Sequence, residues 1–70
     1  MSNSYILKIC QQNSEIRKVK IKSIEHAITN IEIIIKESNL NEEELIYLKQ
    51  KISNSRILLE MLYLMDNSVN

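Results

Sequence analysis

His26 is the chain's one histidine, and Glu25 stands beside it. A histidine with a neighbouring carboxylate is the smallest arrangement from which a general base is made. A base also needs a group to deprotonate, and no cysteine or serine stands at a recognised spacing from it. We read His26 as a surface residue of a helix. Cys10 is the one cysteine. A reactive thiol needs a positive field that favours the thiolate, and Lys8 is its one close cation. A small apolar filler is the expected role. Glu42, Glu43 and Glu44 are carboxylates of the type that ligate hard cations, but a helix start explains them without a metal. The run Arg17, Lys18, Lys20 and Lys22 is a candidate phosphate patch. On a helix those four cations spread around more than half the circumference, with no aromatic among them. They read as a solvated face. The sequence therefore predicts no catalytic set, no metal set and no cofactor, and a chain that is not an enzyme.

Composition points the same way. The 70 residues permit one domain, and a chain this short is marginal alone without a disulfide, a metal or a partner. It contains no glycine and no proline, where average usage would supply about eight. Phosphate-cradling loops need glycines that let backbone N–H groups approach the anion. Small barrels and sandwiches need many tight turns. The composition excludes the first and argues against the second, and few turns means few, long elements. Formal net charge is zero, so a nucleic-acid partner is not expected. The charge is nonetheless polarised. Residues 1–22 carry five cations and one anion, while residues 23–46 carry one cation and six anions. The single cysteine suits a reducing compartment. No apolar run approaches the ~20 residues of a membrane span, and no leader pattern is seen. We expect a bacterial cytoplasmic protein that does not insert into membranes.

The elements follow from spacing. Asn41 can cap a helix by accepting a free backbone N–H, and Glu44 can reach back to it as in a capping box. Leu40 and Leu45 occupy the positions of a hydrophobic staple, and the three glutamates favour the positive end of the helix dipole. A helix is predicted to begin there. The preceding Ser38-Asn39 should end an earlier one, with Asn39 able to take the left-handed conformation. That earlier helix carries Ile21, Ile24, Ile28, Ile31 and Ile35 on one face, flanked by Ile16, Ala27 and Ile34. Extended backwards, the row meets Arg17, Ser14, Cys10 and Leu7, so the seam should weaken before about residue 20. The later helix answers with Leu45, Leu48, Ile52, Ser55, Leu59 and Leu62. The expected fold is all-α: a two-helix antiparallel hairpin over residues 13–70, with residues 1–12 as a short N-terminal helix or a tail. Helices are predicted near 14–38 and 41–66. Two local features compete. Arg17 to Lys22 alternates like a strand, and Ser53-Asn54-Ser55 is poor helix material that could kink the second arm.

The stretch Ile57-Leu-Leu-Glu-Met-Leu-Tyr-Leu-Met65 is apolar or aromatic at eight of nine positions. Leu59 and Leu62 point into the seam. Ile57, Met61 and Leu64 then form a second row on almost the opposite side, with Leu58 and Met65 beside it, and Ile46 and Tyr47 continue that side. A two-helix hairpin has one inside. The second row must be covered by the N-terminal segment or by a partner, because large exposed apolar patches mark interaction sites. We take Ile57, Leu58, Met61, Leu64 and Met65 as the candidate partner-binding face.

From about Ser14 to Asp66 the chain resembles the small co-chaperone of the type III secretion needle subunit. The features that carry it are the size, the hairpin without glycine-rich loops and the strongly apolar end of the second helix. Leu40-Asn-Glu-Glu-Glu-Leu-Ile-Tyr-Leu-Lys-Gln50 and Ile57-Leu-Leu-Glu-Met-Leu-Tyr-Leu64 hold most of it. The resemblance implies a larger tetratricopeptide-like chaperone as partner, the pair keeping a needle subunit monomeric before export. The hairpin from Leu40 to Leu62 also resembles the aspartyl-phosphate phosphatases of sporulation control, whose Ser-Gln-x-x-x-Asp-like motif is matched here by Lys49-Gln-Lys-Ile-Ser53. Lysine replaces the serine and serine the acid, so that only Gln50 agrees. A third reading is a homodimeric four-helix bundle, antitoxin-like or RNA-binding, in which the partner is a copy of the chain itself.

Overall fold

Two of the helices owe their beginnings to asparagine. The computed structural model describes residues 3–68, with side chains from 5 to 67. Among these the chain forms α1 (Asn3–Gln12), α2 (Ser14–Glu37) and α3 (Glu42–Ser68), and no strand. The Asn13 side chain accepts the backbone N–H groups of Glu15 and Ile16, at 3.0 and 3.2 Å, and so starts α2. At α3 the capping box is reciprocal. The Glu44 N–H donates to Asn41 Oδ1 at 2.8 Å, and the Asn41 N–H donates to Glu44 Oε1 at 3.1 Å. Leu40 and Leu45 are both half-buried at this corner.

The loop between α2 and α3 differs from its expected conformation. No described residue has a positive φ, so Asn39 does not adopt the left-handed geometry. Ser38 leaves the helix in an extended conformation, φ −103° and ψ 147°, while its N–H still donates to the Ile34 carbonyl at 2.9 Å. The Leu40 N–H then donates to the Ser38 carbonyl at 3.1 Å. That i to i+2 bond centred on Asn39 turns the chain with negative φ throughout. The strand alternation of residues 17–22 is overridden as well, since one side of that segment packs as a continuous helix. Ser53-Asn54-Ser55 does not break α3. Gln50 Nε2 donates to Asn54 Oδ1 at 3.1 Å along the helix surface, and half-buried Ser55 faces the seam.

The seam forms as its spacing requires. Ile21, Ile24, Ile28 and Ile31 of α2 are buried, as are Ile52 and Leu62 of α3. Ile35, Leu48 and Leu59 pack against them partly buried. The hairpin is therefore present, but the molecule is not a two-helix hairpin alone. Residues 3–12 form a helix that packs on both arms at their open end. Cys10 is 1% exposed and Leu62 fully buried, with Ile6 and Leu7 packed against the same core. Leu62 is the most enclosed leucine among the described residues, in one cluster with Cys10 of α1 and the isoleucines of α2. The flanking Ile16, Ala27 and Ile34 stay exposed. The resulting body is elongated, 43 × 20 × 17 Å, with a radius of gyration of 14.0 Å. A compact domain of this length would have about 11 Å.

Candidate protein-binding face

The apolar seam of α2 ends at Ile21 and Ser14 is exposed, but Arg17 is buried at the seam position between them. Arg17 is 3% exposed, not part of a solvated basic face. Its Nε donates to Asp66 Oδ1 at 2.6 Å, and its Nη1 donates to the Cys10 carbonyl at 3.0 Å. One guanidinium thus joins the end of α1, the first turns of α2 and the last turns of α3. The planar fork makes this possible, since it offers donors in two directions at once. The carbonyl it binds belongs to the last turn of α1, where helix acceptors lack intrahelical partners. With Arg17 withdrawn, the cations left exposed in that run are Lys18 and Lys22, and Lys20 is half-buried.

The five residues of the candidate face divide into two groups. Leu58 and Met65 are half-buried and pack against the core cluster that includes Cys10 and Leu62. Ile57, Met61 and Leu64 face outward, exposed by 58, 41 and 63%. Leu58 and Met65 share the shell around that core with Ile6 and Leu7 of the N-terminal helix, while the outer edge of the row remains open. Ile46 and Tyr47 are also exposed. At about 100° per residue, Ile46, Gln50, Ser53, Ile57, Met61 and Leu64 lie along one line of α3. Two polar residues interrupt it, leaving one apolar patch near the turn and a larger one near the open end.

Beside this line runs an open groove of about 550 Å³ between α2 and α3, lined by Glu32, Ile35, Lys49, Ile52, Ser53, Arg56, Ile57 and Glu60. An exposed ion pair spans the same flank, Arg56 Nη2 donating to Glu32 Oε2 at 3.1 Å. Tyr63 donates its phenol hydrogen to Glu25 from α3 to α2. That hydrogen bond to a carboxylate raises the Tyr63 pKa, desolvation and the Glu25 charge adding to it. Ile57 belongs to both the outward row and the groove, whose rim carries the Arg56–Glu32 pair.

The residues first considered for chemistry do not assemble into a site. His26 is exposed and lines a shallow depression with Lys22, Glu25 and Thr29. Cys10 is buried among apolar side chains, a filler position. The three glutamates are at the first turn of α3, where the macrodipole favours them. Among the described residues no three His, Cys, Asp or Glu side chains gather in a way that could hold a metal. Gln50 is exposed and hydrogen-bonded to Asn54. Counting the full spacer of the phosphatase-like motif, the acid's place falls on Asn54, one residue beyond Ser53, and an amide occupies it. No helix among the described residues is long and apolar enough to cross a membrane.

Sequence reasoning missed Arg17 as a structural residue and Asn13 as a cap. Asn13 had a readable signal, a capping residue followed by Glu15 in the first turn. Arg17 had a weaker one, a single arginine among lysines at a seam position. No protein-family model, curated protein or solved structure matches the chain.

Proposed function

We propose that this chain is a protein-binding module whose outward row Ile57, Met61 and Leu64 docks on a helical partner. One observation carries the reading. Three large apolar side chains at four- and three-residue spacing stand exposed on one continuous helix, with the chain's own N-terminal helix packed on the core instead. A row of that spacing is how an amphipathic helix enters an apolar groove. Met61 suits such a contact because its unbranched thioether adapts to an irregular partner surface.

The molecule's surface is large for its mass. The accessible surface is 5547 Å². A compact folded monomer of 8.2 kDa would expose roughly 4,500 Å². The excess of roughly 1,000 Å² goes with the elongated shape of the body, 43 × 20 × 17 Å.

The finer form of the proposal is a bacterial cytoplasmic co-chaperone. The hairpin would pair with a larger tetratricopeptide-like chaperone, and the two would hold a type III secretion needle subunit monomeric before export. The hairpin layout and the apolar end of α3 support this form. Its test is reconstitution. The chain should form a stoichiometric complex with such a chaperone, and the complex should suppress polymerisation of a needle subunit that the chaperone alone does not. A chain that leaves polymerisation unchanged refutes the co-chaperone role while leaving the docking face standing.

A further inference from the structure

Asn13 separates two helices that would be one if its own backbone were helical. Helical i to i−4 bonds reach it from both sides. Its N–H donates to the Ile9 carbonyl at 3.0 Å, and its carbonyl accepts the Arg17 N–H at 3.0 Å. The break lies in its dihedrals, φ −134° and ψ 107°. In a straight helix the N–H groups of residues 14–16 would bond the carbonyls of residues 10–12. At the break, the Asn13 side chain takes two of those donors, from Glu15 and Ile16, and Arg17 Nη1 takes one of those acceptors, at Cys10. Three of the six groups that a straight helix would pair are therefore partnered at the break. What favours the break is that it lets α1 lay Ile6, Leu7 and Cys10 against the core that contains Leu58, Leu62 and Met65.

We infer that Asn13 is a hinge and that the apolar open end of the hairpin, Leu58, Leu62 and Met65, also receives α1 from a second copy of the chain. Straightening Asn13 joins α1 and α2 into one helix of 35 residues, Asn3–Glu37, about 52 Å long. Leu7 and Cys10 then continue the three-four row of Ile21 and Ile24, but they project past the chain's own hairpin and cannot reach its Leu62. Each copy's uncovered end presents the surface that the other copy's arm fits. The occupant is set by the structure itself, because that surface already holds an α1. The exchange is reciprocal and closes as a two-fold dimer, with no interface chemistry beyond what the monomer uses. A change confined to the φ and ψ of one residue is enough to act as such a hinge. This inference concerns a different surface from the outward row and stands independently of it.

The experiment compares wild type, Asn13→Ala and Asn13→Asp by size-exclusion chromatography with light scattering, from micromolar to millimolar chain. Alanine removes the cap that holds the break, and aspartate keeps it. The dimer dissociation constant should fall roughly 25-fold in Asn13→Ala, about fivefold for each of two hinges, and stay near wild type in Asn13→Asp. Adding Leu7→Glu to Asn13→Ala should abolish the dimer, since the arm then has no apolar face to exchange. Spin labels at Tyr5→Cys and Thr29→Cys in a Cys10→Ala chain also carrying Asn13→Ala, diluted into the unlabelled Asn13→Ala chain, should lie about 36 Å apart along a straight helix. The inference is overturned by an Asn13→Ala chain that stays monomeric throughout, or by a dimer whose label separation is well short of a straight helix. It is equally overturned by a dimer that Met61→Glu abolishes and Leu7→Glu spares, since that would be association through the outward row.

Discussion

Replacing Arg17 with alanine should destabilise the protein by about 2–4 kcal/mol, and the components can be worked through. The Cys10 carbonyl loses a charged donor at a buried position. An unsatisfied buried acceptor costs about 1–3 kcal/mol. The Asp66 carboxylate loses a partner at 2.6 Å, but its side chain is 37% exposed, so water replaces much of that contact. A weak surface pair contributes about 0–1 kcal/mol. Truncation of the buried aliphatic stem adds a packing loss of similar size. A 70-residue chain has about 3.5–10 kcal/mol in total, so the loss should be plain in urea unfolding followed by circular dichroism at 222 nm. Arg17→Lys should recover little, because an ammonium cannot span both acceptors with a planar fork. Lys18→Ala, one residue away and exposed, should stay within about 0.5 kcal/mol of wild type. An Arg17→Ala chain as stable as Lys18→Ala would refute the argument that this guanidinium fastens α1 to the hairpin.

Other perturbations follow from single contacts. Asn41→Ala removes the reciprocal cap of α3 and should cost about 0.5–2 kcal/mol, with Glu44→Ala costing less; a melting midpoint unchanged in Asn41→Ala would contradict it. Leu62→Ala, at the one fully buried leucine among the described residues, should cost about 2–5 kcal/mol in thermal or urea unfolding. Tyr63 has its pKa raised by its bond to Glu25, so the folded protein favours the neutral phenol. That contribution is complete below the usual value of 10.0 and is lost as pH rises through the higher folded value. Stability should fall with pH in that alkaline window, and Tyr63→Phe should remove that part of the slope.

The hairpin was legible because its signals agree across levels. Isoleucine spacing in α2, leucine spacing in α3 and the Asn41–Glu44 box all specify the same antiparallel pair. The exposed row was legible for the same reason, since period alone separates Ile57, Met61 and Leu64 from Leu59 and Leu62. The boundary of that row was not. Leu58 and Met65 sit at an angle that either a partner or α1 could cover, and the choice depends on where a ten-residue helix lands. That in turn rests on Arg17, a residue type whose default place is the surface and whose burial depends on acceptors from two other helices. A cation at a seam position within a basic run is ambiguous until those acceptors are placed. The Ser38–Leu40 corner was misjudged for a smaller reason: without glycine the chain turned through extended backbone and a short i to i+2 bond.

The most direct test of the central claim compares wild type with Met61→Glu and Leu59→Glu, each used as bait for co-purification from the native host, with circular dichroism on the same samples. Met61 is exposed, so its charge should leave helix content intact and abolish capture of one stoichiometric helical partner. Leu59 packs partly buried on the seam, so its charge should lower helix content and stability, since a charge there loses solvation without gaining a partner. If Met61→Glu recovers the same partner in the same amount, the outward row is not the interface. If it loses helix content as Leu59→Glu does, that row belongs to the core.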